Sequence, residues 1–240
     1  MRRFYIDKSA IKTGKIIISG KEAHHIKDVI RLKSGDRFIG LDGEGKSYTL
    51  RIIEIGAGVK AEIEKISSQH IDTPKILLAC ALPKKSKIDY IIEKTTELGV
   101  TDIVPMITRR TVVKIDKVSA LNKHNRWEKV AIEASKQSGR NILPTIHGIT
   151  GFKDALKLIE KLGYKNRLIP YVCESALHIK DALSKKQDSI AVFIGPEGDF
   201  SKEEIALAED YGFKTVSLGG LVLKVDTAAI FAISLIHAAV

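Results

Sequence analysis

The chain has 240 residues, 44% of them hydrophobic, and a formal net charge of +10 from 39 Lys+Arg against 29 Asp+Glu. That is apolar material for ordinary globular cores in one large or two small domains. The longest apolar stretch near the end, Ala228 to Val240, contains His237 and falls short of the ~18 residues a membrane-spanning helix needs. No apolar run follows the basic start MRRFYIDKSA, so no signal peptide is expected and a cytoplasmic location follows. Cys80 and Cys173 form no C-x-x-C pair, and the adjacent His24 and His25 lack ligand spacing, so neither a disulfide framework nor a metal site is expected. The charge is uneven: residues 1–72 carry +4, residues 73–140 carry +7 and residues 141–240 carry −1. A polyanion held by the first two segments and a small ligand held by the third would produce this pattern, as would a solvated lysine surface.

Residues 1–72 alternate in a β manner at Lys15–Ile18, Asp36–Leu41, Tyr48–Ile53 and Val59–Ile66, with turn signals at Ser34-Gly35-Asp36 and Asp42-Gly43-Glu44-Gly45. One short helix is expected from Lys21 to Arg31. Short strands at this spacing favour a small β-barrel, and Gln69 to Pro74 reads as a link. From residue 73 onward strands alternate with helices, which argues for an α/β domain with a largely parallel sheet. Lys75–Leu82 is a buried-strand run, Ile88, Ile91, Ile92, Thr95 and Leu98 follow at helical spacing, and Gly99 suits the residue after the helix. Asp102–Ile107 is the next strand. A helix from about Ser119 to Ser138 carries Trp127, Val130, Ala131 and Ala134 on one face, where Trp127 reads as core rather than a base-stacking platform. Arg167–Val172, Ile190–Ile194 and Thr215–Leu218 complete the strands.

Two segments near the end carry the chemistry: IGPEGDFS, Ile194 to Ser201, and LGGLVLKVDTAA, Leu218 to Ala229. Each joins an apolar strand to a helix through a glycine-rich turn, which presents bare backbone N–H and C=O groups to a small polar ligand. Ser201 with Glu204 three residues on has capping-box spacing, and the last helix is expected from about Thr227. Neither turn is a phosphate-binding Walker loop or a dinucleotide fingerprint. Taken singly, each is also ordinary loop chemistry.

Five blocks in order, HHIKDVIRLKSGD from His24, KSKIDYIIEKTTELGV from Lys85, RWEKVAIEASKQSGR from Arg126, IGPEGDFSKEE from Ile194 and the final LGGLVLKVDTAA, together with the MRRFY start, resemble the RsmE-type family of SPOUT methyltransferases. Members of that family methylate uridine N3 in small-subunit (16S) ribosomal RNA. The resemblance covers nearly the whole chain. It implies a PUA-like β-barrel RNA-binding domain over 1–72 and, over 73–240, a SPOUT domain with a parallel sheet and a C-terminal trefoil knot. It further implies S-adenosylmethionine as cofactor, a homodimer with composite sites, ribosomal RNA or the small ribosomal subunit as partner, and no metal. On the family pattern Ile194, Gly195, Glu197 and Gly198 belong to the first cofactor loop, and Leu218, Gly219, Leu223, Val225, Thr227 and Ala228 to the second. Tyr171 and Val172 join them from a strand end.

The chain departs from the family pattern at its last block, where Leu221 and Lys224 stand for arginines, Val225 for threonine and Asp226 for glutamate; Asp199 stands where glycine is common. Methyl transfer from a sulfonium needs no metal, and most of its acceleration can come from positioning. The uracil N3–H is about as acidic as a tyrosine phenol, ~10, so a cation that stabilises the developing oxyanion would help. Lys224 is the candidate for that role. Asp226 could accept the proton, orient Lys224 or simply cap the helix. RNA phosphates are expected to meet Arg2, Arg3, His25, Arg31, Lys84, Lys85, Arg109, Arg110 and Arg140, with steep salt dependence. Two other readings use the same residues: a SPOUT methyltransferase with a different RNA target, and a catalytically weakened RNA-binding module. A phosphate-binding metabolic enzyme would betray itself by binding nucleotide rather than S-adenosylmethionine.

Overall fold

The computed structural model describes residues 1–12, 14–68, 74–84, 87–113, 115–173, 176–183 and 187–239. The chain forms two compact units, one of Met1–Ile71 with Ile132–Leu143 and one of Asp72–Ala131 with Pro144–Val240. Most of the link expected at Gln69 to Pro74 lies outside the described residues.

In the first unit β1 (Arg3–Tyr5), β2 (Ile11–Lys12), β3 (Lys15–Ile18), β4 (Arg37–Leu41), β5 (Lys46–Ile55) and β6 (Val59–Ser68) form one sheet. Its order is β1-β4-β5-β6-β3-β2. It is a PUA-like half-barrel, curved by register shifts at Thr49/Leu50 and Ile52/Glu54 where β5 meets β6, since an extra residue on one strand bends and twists the pair. Period-two patterning sends Leu50 and Ile52 inward with Phe4, Phe38, Ile16, Ile26 and Val59. Phe4 and Phe38 meet edge to face with ring centroids 5.4 Å apart. The helix expected over Lys21–Arg31 is α1 (Gly20–His24), continued by a wider π turn at His25–Val29. It stops before Arg31, whose φ of 59° is left-handed.

Residues 132–143, assigned from sequence to the second domain, group with the first unit. There Lys136 pairs with Glu22, the Gly45 N–H bonds the Asn141 carbonyl at 3.0 Å and the Leu143 N–H bonds that of Gly43 at 2.9 Å.

The second unit holds β7 (Lys75–Ala81), α2 (Lys87–Glu97), β8 (Asp102–Ile107), the first part of α3 (Lys117–Ser138), β9 (Thr145–Ile146), β10 (Thr150–Gly151) and α4 (Phe152–Leu162). It continues through β11 (Asn166–Pro170), β12 (Leu177–His178), α5 (Ile179–Ala182), β13 (Ser189–Ile194), α6 (Lys202–Asp210), β14 (Phe213–Ser217) and α7 (Val225–Ala238). The sheet order is β10-β8-β7-β13-β11-β14-β12, with β9 added to β8, and its pairings are parallel. Strands covered on both faces read as unbroken apolar runs. Ile76, Leu78, Cys80 and Leu82 of the first run enter a core with α2, α3 and α7, whereas Leu77, Ala79 and Ala81 enter a second core with α4 and α6.

Local signals agree with these elements. Gly99 is left-handed at φ 91° just after α2. Ser201 and Glu204 form the full capping box of α6. Trp127 is buried and its indole N–H donates to Asp89 Oδ1 at 3.1 Å, so it is core as read. The strand expected to reach Val172 ends at Pro170, and the last helix begins at Val225, two residues before Thr227.

Candidate active site

In parallel α/β sheets ligands lie beyond the carboxyl ends of the strands, because there the chain leaves as loops and enters helices with N–H groups unpaired. The second unit has such a cavity, of about 680 Å³, beyond β11, β13 and β14. Its walls are Pro170 to Cys173, Ala176 and His178 on one side, Ile194 to Glu197 with Asp199 on another, and Ser217 to Leu223 with Val225 and Ala228 on a third. This volume is in the ordinary range for a small-molecule pocket, roughly 300–1,000 Å³.

Backbone conformation builds the loops. Gly219 takes φ 122°, which a side chain would strain. Its N–H bonds Ser217 Oγ at 3.1 Å, so the hydroxyl closes the turn that follows β14. At Gly195 an added Cβ would press on the Phe200 ring at 3.1 Å and on Asp199 Oδ1 at 3.3 Å, so any larger residue makes the loop after β13 shift by a few tenths of an ångström. Asp199 itself is left-handed at φ 59°, a conformation that Asp tolerates better than most residues. Its Oδ1 accepts the Phe200 N–H at 2.8 Å. Burial pushes the Asp199 carboxyl up, against backbone N–H bonds from Phe200 and Val172 and the charge of Arg110. Glu197 is exposed, and its Oε1 accepts the Lys84 N–H at 3.1 Å.

Of the cofactor residues read from sequence, Tyr171, Val172, Ile194, Gly195, Glu197, Leu218, Gly219, Leu223, Val225 and Ala228 are brought together around this one cavity. Gly198 and Thr227 are not among the lining residues. The Gly198 carbonyl accepts from Arg110 at 2.7 Å instead, and Thr227 is exposed on α7. Pro170, His178, Ser217 and Asp199 also line the cavity; β12, two residues long, is too short to announce His178.

The polar residues at the start of α7 differ from expectation. Lys224 is exposed and occupies the N-cap position without a side-chain cap bond. Asp226 has Lys87 as its main partner: its Oδ1 accepts from Lys87 Nζ at 2.9 Å, and its carboxylate also takes the backbone N–H groups of Asp226 and Thr227 at the helix start. The bond from Lys87, outweighing partial burial, holds the Asp226 carboxyl below its usual range, which makes it a poor proton acceptor. Lys87 lies in the block that begins at Lys85, but nothing local in the sequence announces its pairing with a residue 139 positions away.

The basic residues divide. Arg2, Arg3, Arg31, Lys84, Arg109 and Arg110 are exposed, and His25 is half-buried with its ring edge-on to Phe4. Arg109 pairs with Glu203 at 2.9 Å, and Arg110 donates from Nη1 to the carbonyls of Gly198 and Phe200. Arg140, expected on the surface, is 8% exposed, and desolvation lowers its pKa to about 10; a buried guanidinium is a structural group rather than a phosphate contact. Lys85 lies outside the described residues. Among the described residues no cluster could hold a metal ion and no helix is long and apolar enough to cross a membrane.

Among the described lining residues the charged side chains are the two carboxylates Glu197 and Asp199, with no lysine or arginine. A parallel-sheet domain with glycine-built loops and an acidic, largely apolar cavity suits a small neutral or cationic ligand better than a phosphate. Comparison with known proteins narrows that class. An RNA methyltransferase domain model matches residues 71–237, and an RNA methyltransferase PUA domain model matches residues 18–58. The chain is 30% identical over 247 residues to the ribosomal RNA small subunit methyltransferase E of Bacillus subtilis, spanning 98% of this chain and 96% of that one. To the protein of the same name from Synechocystis it is 32% identical, over 98% and 77% of the two chains. The crystal structure of a ribosomal RNA small subunit methyltransferase E from Neisseria gonorrhoeae bound to S-adenosyl methionine superposes with a TM-score of 0.85 at 28% identity, covering 98% of this chain and 96% of that one. The chain belongs to this RNA methyltransferase family, in its RsmE-type branch.

Proposed function

We propose that this protein transfers a methyl group from S-adenosylmethionine to N3 of a uridine in small-subunit ribosomal RNA. The observation that carries the reading is the cavity beyond β11, β13 and β14, whose apolar walls, bare glycine backbone and two carboxylates suit an adenosine joined to a cationic chain. Bound there, the cofactor supplies an electrophilic methyl on a sulfonium. The loop after β14, with Leu218 and Gly219, would meet the adenine edge by backbone groups. Leu223, Val225 and Ala228 would form the apolar floor.

The uridine N3–H must give up its proton, here to solvent water; the negative charge this leaves on N3 and the uracil oxygens is consumed as the N3–CH₃ bond forms and the sulfonium becomes a neutral thioether. Two ammonium groups stand by the start of α7, those of Lys224 and of Lys87, the latter fixed by Asp226. Cations near a developing oxyanion lower the barrier, typically by a few kcal/mol when preorganised. Asp226 therefore serves to place Lys87, not to take the proton. The exposed Arg2, Arg3, Arg31, Lys84 and Arg109 would hold RNA phosphates, and the target base would be unpaired so that N3 is accessible.

The same reading includes the domain roles: an RNA-binding unit ahead of a catalytic one, with the C-terminal segment knotted and two copies joined. Phe231, 39% exposed on the mainly apolar α7, is available to such a dimer. Action on ribosomal RNA would place the protein in the cytoplasm. Labelled methyl transfer to small ribosomal subunits lacking the mark, with nucleosides identified by mass spectrometry, tests the function. Label in 3-methyluridine is expected. Label in another nucleoside would favour a different target, and none from folded protein would favour an RNA-binding module.

A further inference from the structure

The carboxylate of Asp199 is the least expected group on the cavity wall. It sits in a left-handed backbone position at φ 59°, where a side chain is a cost that glycine would avoid. The side chain is nonetheless directed inward. Its Oδ1 lies 3.3 Å from where a Gly195 Cβ would stand and 2.8 Å from the Phe200 nitrogen, while the Val172 N–H also bonds it. It therefore joins the loop after β13 to the loop after β11, both of which line the cavity. Glu197, the other lining carboxylate, is exposed and already accepts from the Lys84 N–H. The more desolvated negative charge is that of Asp199, and no lining lysine or arginine among the described residues offsets it. Arg110, which is not a lining residue and donates to the carbonyls of Gly198 and Phe200, offsets the charge only in part, since burial still pushes the Asp199 carboxyl up.

Resting on the cofactor reading above, we infer that Asp199 is a specificity residue that distinguishes the cationic cofactor from its neutral demethylated product. S-Adenosylmethionine carries a sulfonium in addition to its amino-acid charges, and S-adenosylhomocysteine does not, so their net charges are +1 and 0, a difference of about one unit to which a partly desolvated carboxylate responds. A single such charge at a protein surface is worth roughly a factor of ten in affinity. The consequence is product release: the methyl donor is held, and once the methyl has left, the attraction goes with it.

The test is calorimetric titration of S-adenosylmethionine and of S-adenosylhomocysteine into the full chain at pH 8, for the natural protein, Asp199→Asn and Asp199→Gly. Asparagine and glycine both tolerate the left-handed backbone, so the two variants together keep the fold, checked by thermal melting. The expected result is that the affinity ratio, donor over product, falls about tenfold in both variants. An unchanged ratio in both would overturn the role of Asp199 while leaving the cofactor site standing. If the natural protein bound neither compound, the cofactor reading would fall and this inference with it.

Discussion

Lys87 at the start of α2 and Asp226 in the first turn of α7 are joined by a 2.9 Å ion pair. The bond ties two helices that also pack through Ile88, Ile91, Ile92, Ala229, Ala232 and Ile233 of one core. It sets an ammonium group next to the helix start that follows the second glycine loop. Lys87 and Asp226 are partly exposed, at 38% and 23% for their side chains, so the pair adds only about 0.5 kcal/mol to stability. Its importance is positional. Asp226→Asn is expected to lower turnover about tenfold while leaving the affinity for S-adenosylmethionine within about twofold. Single-turnover rates set beside cofactor titration check this, and an equal fall in both would make the pair merely structural. The carboxyl is held below its ordinary value by Lys87. Its small stabilisation is therefore present above the unfolded pKa and lost as pH falls through the folded one.

Lys224 has no ion-pair partner among the described residues. Lys224→Ala should cost about tenfold to a hundredfold in turnover with cofactor binding intact. Full turnover in that variant would remove Lys224 from the chemistry and leave the role to Lys87.

Gly195→Ala places a methyl 3.1 Å from the Phe200 ring, and Phe200 is fully buried in the second core of its unit. The loop must move to accept it. We expect roughly 1–3 kcal/mol of destabilisation and at least a tenfold loss of S-adenosylmethionine affinity. Chemical denaturation and calorimetry read the two effects separately.

Asp102 accepts from His147 Nε2 and from the Tyr164 hydroxyl, each at 2.7 Å, at the start of β8 and so at the sheet end opposite the cavity. Burial alone would raise its pKa, but the bonds from His147 and Tyr164 outweigh it and hold the carboxyl low. This stabilisation is present above the unfolded pKa of ~3.9 and disappears as pH falls through the lower folded value. Tyr164→Phe should therefore cost about 1–2 kcal/mol near neutrality, flatten the acid limb of the stability profile and leave methyl transfer unchanged. Melting curves between about pH 3 and 7 and a methyl-transfer assay decide it.

The basic residues separate by burial. Arg2→Ala, at an exposed site, should weaken RNA binding and reduce the salt dependence by about one counterion without changing the melting temperature. Arg140→Ala, at a buried one, should instead lower the melting temperature by several degrees. RNA titrations over a range of salt, next to melting curves, distinguish the two.

Much of the fold was legible because it is written in local periodicity. The strand run Lys75–Leu82, the alternation through Leu50 and Ile52, and the Ser201–Glu204 capping box each depend on neighbours a few positions apart. α4 carries an equally local pattern, Phe152, Ala155, Leu156 and Ile159 ending at left-handed Gly163. β1 and β12 are too short to have a period. The glycine loops and most of their apolar neighbours could be named from sequence because glycine marks backbone that must turn or come close.

What sequence alone could not determine are relations between distant residues and the accessibility of charge. Lys87 meets Asp226 across 139 positions, Arg140 is buried although its neighbours are polar, and residues 132–143 join the unit that precedes them. Composition and pattern determine which segments become strands, helices and turns, since those depend on backbone sterics and one-sided burial. Which charges face one another, and which lose their water, is decided only when the packed chain removes solvent from some groups and leaves it on others.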